Sequence, residues 1–183
     1  LLEDKKERLV VKHHWHSEVE IVYFKKGKFK VEINMDKYII EEECICFINS
    51  EELHAIELIS PYNESALVFD LNMLSFDLFD SVQANIIMPI LTGKLKFPRF
   101  IYLKDEKAGE IFNEYNNIAQ LYKKEGHVSL QKDVYLTKKL VSHIKIKSLL
   151  LNMLGFLYEN NLLINEDEQN RDYRIDYIKT VIL

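Results

Sequence analysis

The sequence predicts an α+β protein that is mainly β: an antiparallel sandwich or barrel of short strands, followed by a helical segment. Two observations carry this. Up to about Leu71, β-branched and aromatic runs alternate with turn signals too closely spaced to leave room for crossover helices. Beyond Leu71 the apolar period lengthens to three and four residues. Composition agrees. The 183 residues are 48% hydrophobic and 29% charged, with five Gly and three Pro, which excludes a disordered or low-complexity chain. Net charge is −5, making a poor general binder of phosphate backbones. Cys44 and Cys46 are the only cysteines, and their spacing suits neither a disulfide framework nor a zinc knuckle. No apolar run is expected to span a bilayer and no signal-peptide pattern opens the chain, so the expected setting is the cytoplasm, with reduced thiols and no membrane partner.

Strands are expected near Arg8–Lys12, Val19–Phe24, Lys28–Asn34, Lys37–Ile40, Cys44–Ile48, Leu53–Leu58 and Ser65–Leu71. Lys26-Gly27, Asn34-Met35-Asp36, Asn49-Ser50 and Pro61-Tyr62-Asn63 separate them. Asn72–Leu91 reads as partly helical, with Pro89 and Gly93 as breakers, and Phe100–Leu103 as a strand returning to the sheet.

A helix opens at Asp105, whose side chain can cap it, and ends at Gly126. Ala108, Ile111, Phe112, Tyr115, Ile118, Ala119 and Tyr122 share one face. A longer helix runs from Ser129 to about Glu159, with Val134, Val141 and Ile144 on one stripe and Ile146, Leu150, Met153 and Leu157 on another. Its last turns are apolar nearly all round, which suits either packing on the sheet or a helix–helix subunit interface. Its lysines (Lys132, Lys138, Lys139, Lys145 and Lys147) read as a solvated face. Asn165–Arg171 is polar and reads as a linker, and Arg174–Leu183 starts an amphipathic pattern too short to stand alone.

The chemistry concentrates in His14-Trp15-His16, Glu20 and His54. In an extended strand, side chains two apart share a face, so His14, His16, Glu18 and Glu20 can point one way. Imidazoles and a carboxylate projecting into a barrel, joined by a histidine from a later strand, suit Zn, Fe, Ni or Mn with a position left open.

These residues resemble the first cupin motif: His14, His16, Glu20 and Gly27 stand at its spacing, and His54 stands where the second motif places its histidine. The motif's leading Gly is absent, and Glu42-Glu43-Cys44 and Glu51-Glu52-Leu53 replace the second motif's glycines. More narrowly, the run from His14 to Leu58 resembles the effector-binding domain of AraC-family transcription regulators, in Glu18 to Phe24, Gly27, Glu42-Glu43, Ile48-Asn49 and His54. The resemblance implies a cupin-type antiparallel β-barrel over 1–103 and a helical dimerisation segment over 104–164. Residues 165–183 would then be a linker and the start of a helix-turn-helix domain absent from this chain. It implies effector sensing rather than catalysis, a small-molecule effector, and a homodimer through the helices of 105–159. DNA would be bound only through the absent domain.

For His14, His16, Glu20 and His54 three readings stand at this point: a polar effector pocket, a bound divalent transition metal, or structural histidines. No cofactor is required by the first, and the second also admits a metal-dependent cupin enzyme, an isomerase or dioxygenase. Val22, Phe24 and Phe29 either line an apolar wall of the pocket or form core. Cys44 and Cys46 read as buried and inert, since no basic residue flanks them.

Overall fold

A computed structural model describes residues 10–60, 63–125 and 132–166. The expected strand start at Arg8, the Pro61-Tyr62 part of a turn, Gly126, the helix start at Ser129 and the amphipathic stretch Arg174–Leu183 lie outside them.

The strands follow the alternation in the sequence. In order they are β1 Val10–His14, β2 Val19–Lys26, β3 Phe29–Ile33, β4 Asp36–Ile40, β5 Cys44–Ile48, β6 His54–Leu58, β7 Asn63–Phe69, β8 Leu95–Lys96, β9 Phe100–Tyr102 and β10 Ile164–Asn165. They form two four-stranded antiparallel sheets, ordered β1-β6-β3-β4 and β7-β2-β5-β9, and a small β10-β8 pair. The period of two sends Phe29, Val31 and Ile33 of β3 to the same side as Ile56 of β6. From the other sheet Val22, Phe24, Cys44, Cys46 and Ile48 meet them, and together they fill the interior. The fold is thus α+β and mainly β, with a cupin-type antiparallel barrel.

Two details of backbone depart from routine. The β3–β4 hairpin turns on Asn34 and Met35, both left-handed at φ 49° and 74°. That is the two-residue turn whose handedness matches strand twist, with Met in the position glycine usually takes. Between β7 and β8 a wide π turn, Gln83–Ile87, runs into helix α1, Met88–Leu91. Pro89 therefore does not break this helix. Its ring would crowd the carbonyl four residues back, and the wide turn, in which Met88 N–H bonds Gln83 five residues back, relieves that crowding. Gly93, at φ 74°, ends the segment instead.

The chain divides into two compact units, Leu1–Leu103 with Leu163–Leu183, and Lys104–Leu162. The barrel unit reclaims the chain after the helices: Ile164 and Asn165 pair with Lys96 and Leu95, and Glu166 N–H bonds the Lys94 carbonyl at 3.0 Å. Asn165, read above as the start of a linker, thus lies in a strand.

The second unit holds α2, Ala108–Glu125, and α3, Lys132–Glu159, packed on one another. Ala108, Ile111, Phe112, Tyr115 and Ile118 are buried, as the helical period requires, whereas Tyr122 is half exposed. At the start of α2 the Asp105 backbone carbonyl accepts from Ala108 N–H at 3.0 Å. On α3, Ile146, Leu150, Met153 and Leu157 are buried and Leu140, Val141 and Ile144 are exposed. Lys139–Glu159 is also long and apolar enough to cross a membrane by length and composition, which corrects the expectation that no stretch reaches that limit. Its lysines at 139, 145 and 147 and its buried face also fit a helix of a packed pair.

Candidate metal and effector site

Four candidate residues meet where the chain passes from β1 in one sheet to β2 in the other. His14 ends β1, His16 lies in the crossing, Glu20 is the second residue of β2, and His54 opens β6. Their ligand atoms all lie within 4.8 Å of one another.

A bulge decides which histidine of the His13-His14 pair takes part. Val11 pairs with Ile56 and His14 with His54, so three steps on β1 match two on β6. The extra residue turns His14 to the inner face beside His54, their ring centroids 4.2 Å apart. His13 faces outward and its Nε2 meets Glu32 at 3.1 Å. The crossing itself is irregular rather than extended. Glu18 accordingly stays at the rim, accepting from Ser17 Oγ at 3.3 Å and lying 3.7 Å from His16 Nδ1, and is not one of the four converging residues, against the expectation that it would share the inner face. Bonds from Glu51 N–H to the His16 carbonyl (2.9 Å) and from Ser50 Oγ to the Ser17 carbonyl (2.7 Å) pin the crossing to the β5–β6 turn.

The three imidazoles are oriented in the same way. Each Nδ1 bonds a backbone carbonyl two residues away: His14 to Lys12 at 2.9 Å, His16 to Glu18 at 3.1 Å, His54 to Glu52 at 2.8 Å. A carbonyl only accepts, so each Nδ1 donates, and Nε2 is the ring nitrogen left for a further partner. Glu20 Oε2 lies 3.4 Å from Nε2 of His16 and 3.2 Å from Nε2 of His54. Burial raises the Glu20 pKa, but hydrogen bonds and charge interactions with His54 and then His16 outweigh it and hold the carboxyl below its ordinary range.

His54 is 1% exposed, and its Nε2 faces the Glu20 carboxylate with no other partner among the described residues. A shared proton or a bound cation satisfies both groups. Three imidazole nitrogens and one carboxylate, each histidine braced through its second nitrogen, form a donor set that fits a divalent transition metal. His14, His16, Glu20 and His54 are the residues that would hold it.

Val22, Phe24 and Phe29 are at most 1% exposed within the apolar interior, the rings of Phe24 and Phe29 4.6 Å apart. Val22 stands two residues and Phe24 four residues along β2 from Glu20, roughly 7 and 13 Å at strand rise. Cys44 and Cys46 are buried. Burial and then Glu42 and Glu43 push the Cys44 thiol up to about 12, and burial pushes Cys46 up as well.

Two polar residues beside the site escaped the sequence reading: Glu52, 4% exposed, and Arg99, which pairs with it. Glu52 counted only as a departure from a glycine motif. Arg99 stands alone between Pro98 and Phe100, with no spacing signal to a partner 47 residues away.

Residues 1–79 match the family model described as the AraC-like ligand binding domain. That span includes all four cluster residues. No curated protein matches the chain.

Proposed function

We propose that this chain, whose residues 1–79 match the model of the AraC-like ligand binding domain, is the effector-sensing part of an AraC-type transcription regulator, with its sensing site at His14, His16, Glu20 and His54. Binding there controls an attached DNA-binding domain and is not followed by catalysis. The ligand that first occupies the site is a divalent transition-metal ion. One observation carries this: three imidazole nitrogens and a carboxylate oxygen converge within 4.8 Å, while an apolar cluster fills the interior. That spacing suits an ion rather than an organic molecule seated among the four side chains. A cation there would supply positive charge and an open ligand position to an acidic or hydroxylated effector.

The helical unit is the dimerisation element in this account. Leu140, Val141 and Ile144 form an exposed apolar stripe on α3, a face that suits contact with a second copy.

Equilibrium dialysis of the chain against Zn, Mn, Ni and Co salts tests the site. One ion per chain, with a higher melting temperature, is expected. Stoichiometry below one tenth for every metal, combined with stabilisation by an organic acid or sugar alone, would replace the metal reading with a purely organic pocket.

A further inference from the structure

Glu52 and Arg99 form an ion pair beside the cluster without entering it. Arg99, one residue ahead of β9, donates through Nη1 to Glu52 Oε2 at 2.6 Å and through Nη2 to Oε1 at 2.5 Å. Nη1 also reaches the Phe47 carbonyl at 2.8 Å. The carboxylate accepts further bonds from Asn49 N–H at 2.8 Å and Asn34 Nδ2 at 3.3 Å. Leu53 N–H bonds Asn34 Oδ1 at 3.1 Å, and Asn34 N–H returns a bond to the Leu53 carbonyl at 2.8 Å. Both sheets therefore grip the turn between β5 and β6, in which Glu51 holds a left-handed φ of 64°.

The Glu52 carbonyl in that turn is the group that accepts from His54 Nδ1. Shifting the carbonyl would release the ring or exchange its tautomer, and Nε2 would no longer face the cluster. A buried ion pair is a weak source of net stability, because desolvation cancels much of the attraction. Its place here therefore calls for a geometric reason.

We propose that the Arg99–Glu52 pair is the positioning device for His54: by clamping the β5–β6 turn it fixes the Glu52 carbonyl, and through it the tautomer and aim of the imidazole. The inference rests on the cluster being a ligand site, yet its first readout needs no ligand.

The test compares the wild-type chain with Glu52→Gln/Arg99→Met, which removes both charges together, and with Arg99→Lys, which keeps the charge but loses the two-pronged bond. Long-range ¹⁵N–¹H spectra of the metal-free proteins report the His54 Nδ1 proton, and titration with Co²⁺ reports affinity and ligand geometry by visible absorption. In both variants the His54 Nδ1–H signal should be lost to exchange, and Co²⁺ affinity should fall roughly 10–100-fold with a changed spectrum. If the double variant does not fold, Arg99→Lys decides alone. A variant that folds and keeps both the Nδ1–H signal and wild-type affinity overturns the proposal. Loss of the proton signal in the variants, with no Co²⁺ bound even by wild type, supports the positioning role and sinks the metal reading instead.

Discussion

His14 stands across the β1–β6 ladder from His54, ring centroids 4.2 Å apart, because β1 carries one more residue than its partner between Val11 and this pair. The bulge turns two chemically identical neighbours to opposite faces. His13 meets Glu32 on the outer surface, and His14 joins the cluster.

His14→Ala and His13→Ala should therefore differ sharply. Losing one of four ligands is expected to weaken Zn²⁺ binding at least about 100-fold. At free metal of about 100 times the wild-type Kd, stabilisation then drops from about 2.7 to about 0.4 kcal/mol. His13→Ala should keep the full effect. Thermal unfolding with and without Zn²⁺ checks the pair.

The thiols offer a pH test. Burial, then Glu42 and Glu43, raise the Cys44 pKa to about 12. A thiol whose folded pKa is raised favours the folded state fully below the ordinary thiol range, and that contribution is lost as pH climbs toward 12. Native protein should resist iodoacetamide at pH 8 and react at both cysteines once unfolded, read by intact mass. Rapid alkylation of the native chain would contradict the assigned burial.

Met35 holds a left-handed backbone at φ 74° and is half exposed, so its side chain contributes little to offset the strain. Met35→Gly should stabilise the protein by about 0.5–1 kcal/mol, the left-handed cost removed less the added chain entropy of glycine. Urea unfolding measures it, with the slope unchanged.

Leu140 and Ile144 lie one turn apart on the exposed stripe of α3, 63% and 69% exposed. If the stripe is the dimer contact, Leu140→Glu/Ile144→Glu should shift the chain from dimer to monomer in sedimentation equilibrium. The helical circular dichroism should remain. A monomeric wild type would remove α3 from the assembly.

Sequence and structure agree where a single periodicity governs. Alternation is legible in β3, where inward Phe29, Val31 and Ile33 are buried and Lys30 and Glu32 between them are charged, whereas β2 and β5 read as short apolar runs because both of their faces are covered. The pattern of α2 was legible as that of β3 was. What escaped depends on contacts distant in sequence. Ile164–Asn165 becomes a strand only because Leu95–Lys96 lies ready to pair with it. Glu18 leaves the cluster because the crossing is not a strand, and the bulge that selects His14 over His13 leaves no trace in residue spacing. Pro89 has the signature of a breaker in sequence, but the wide π turn before it accommodates the ring. The candidate ligands were visible as a spacing, whereas the carbonyls that orient each imidazole were not.

Whether the four converging side chains hold a metal ion is decided by titrating the metal-free chain with Co²⁺ and following visible absorption. Saturation is expected at one equivalent, with a spectrum of mixed nitrogen and oxygen ligation that His54→Ala abolishes and His13→Ala leaves unchanged. Absence of any cobalt spectrum in wild type, or one that survives His54→Ala intact, would overturn the metal site.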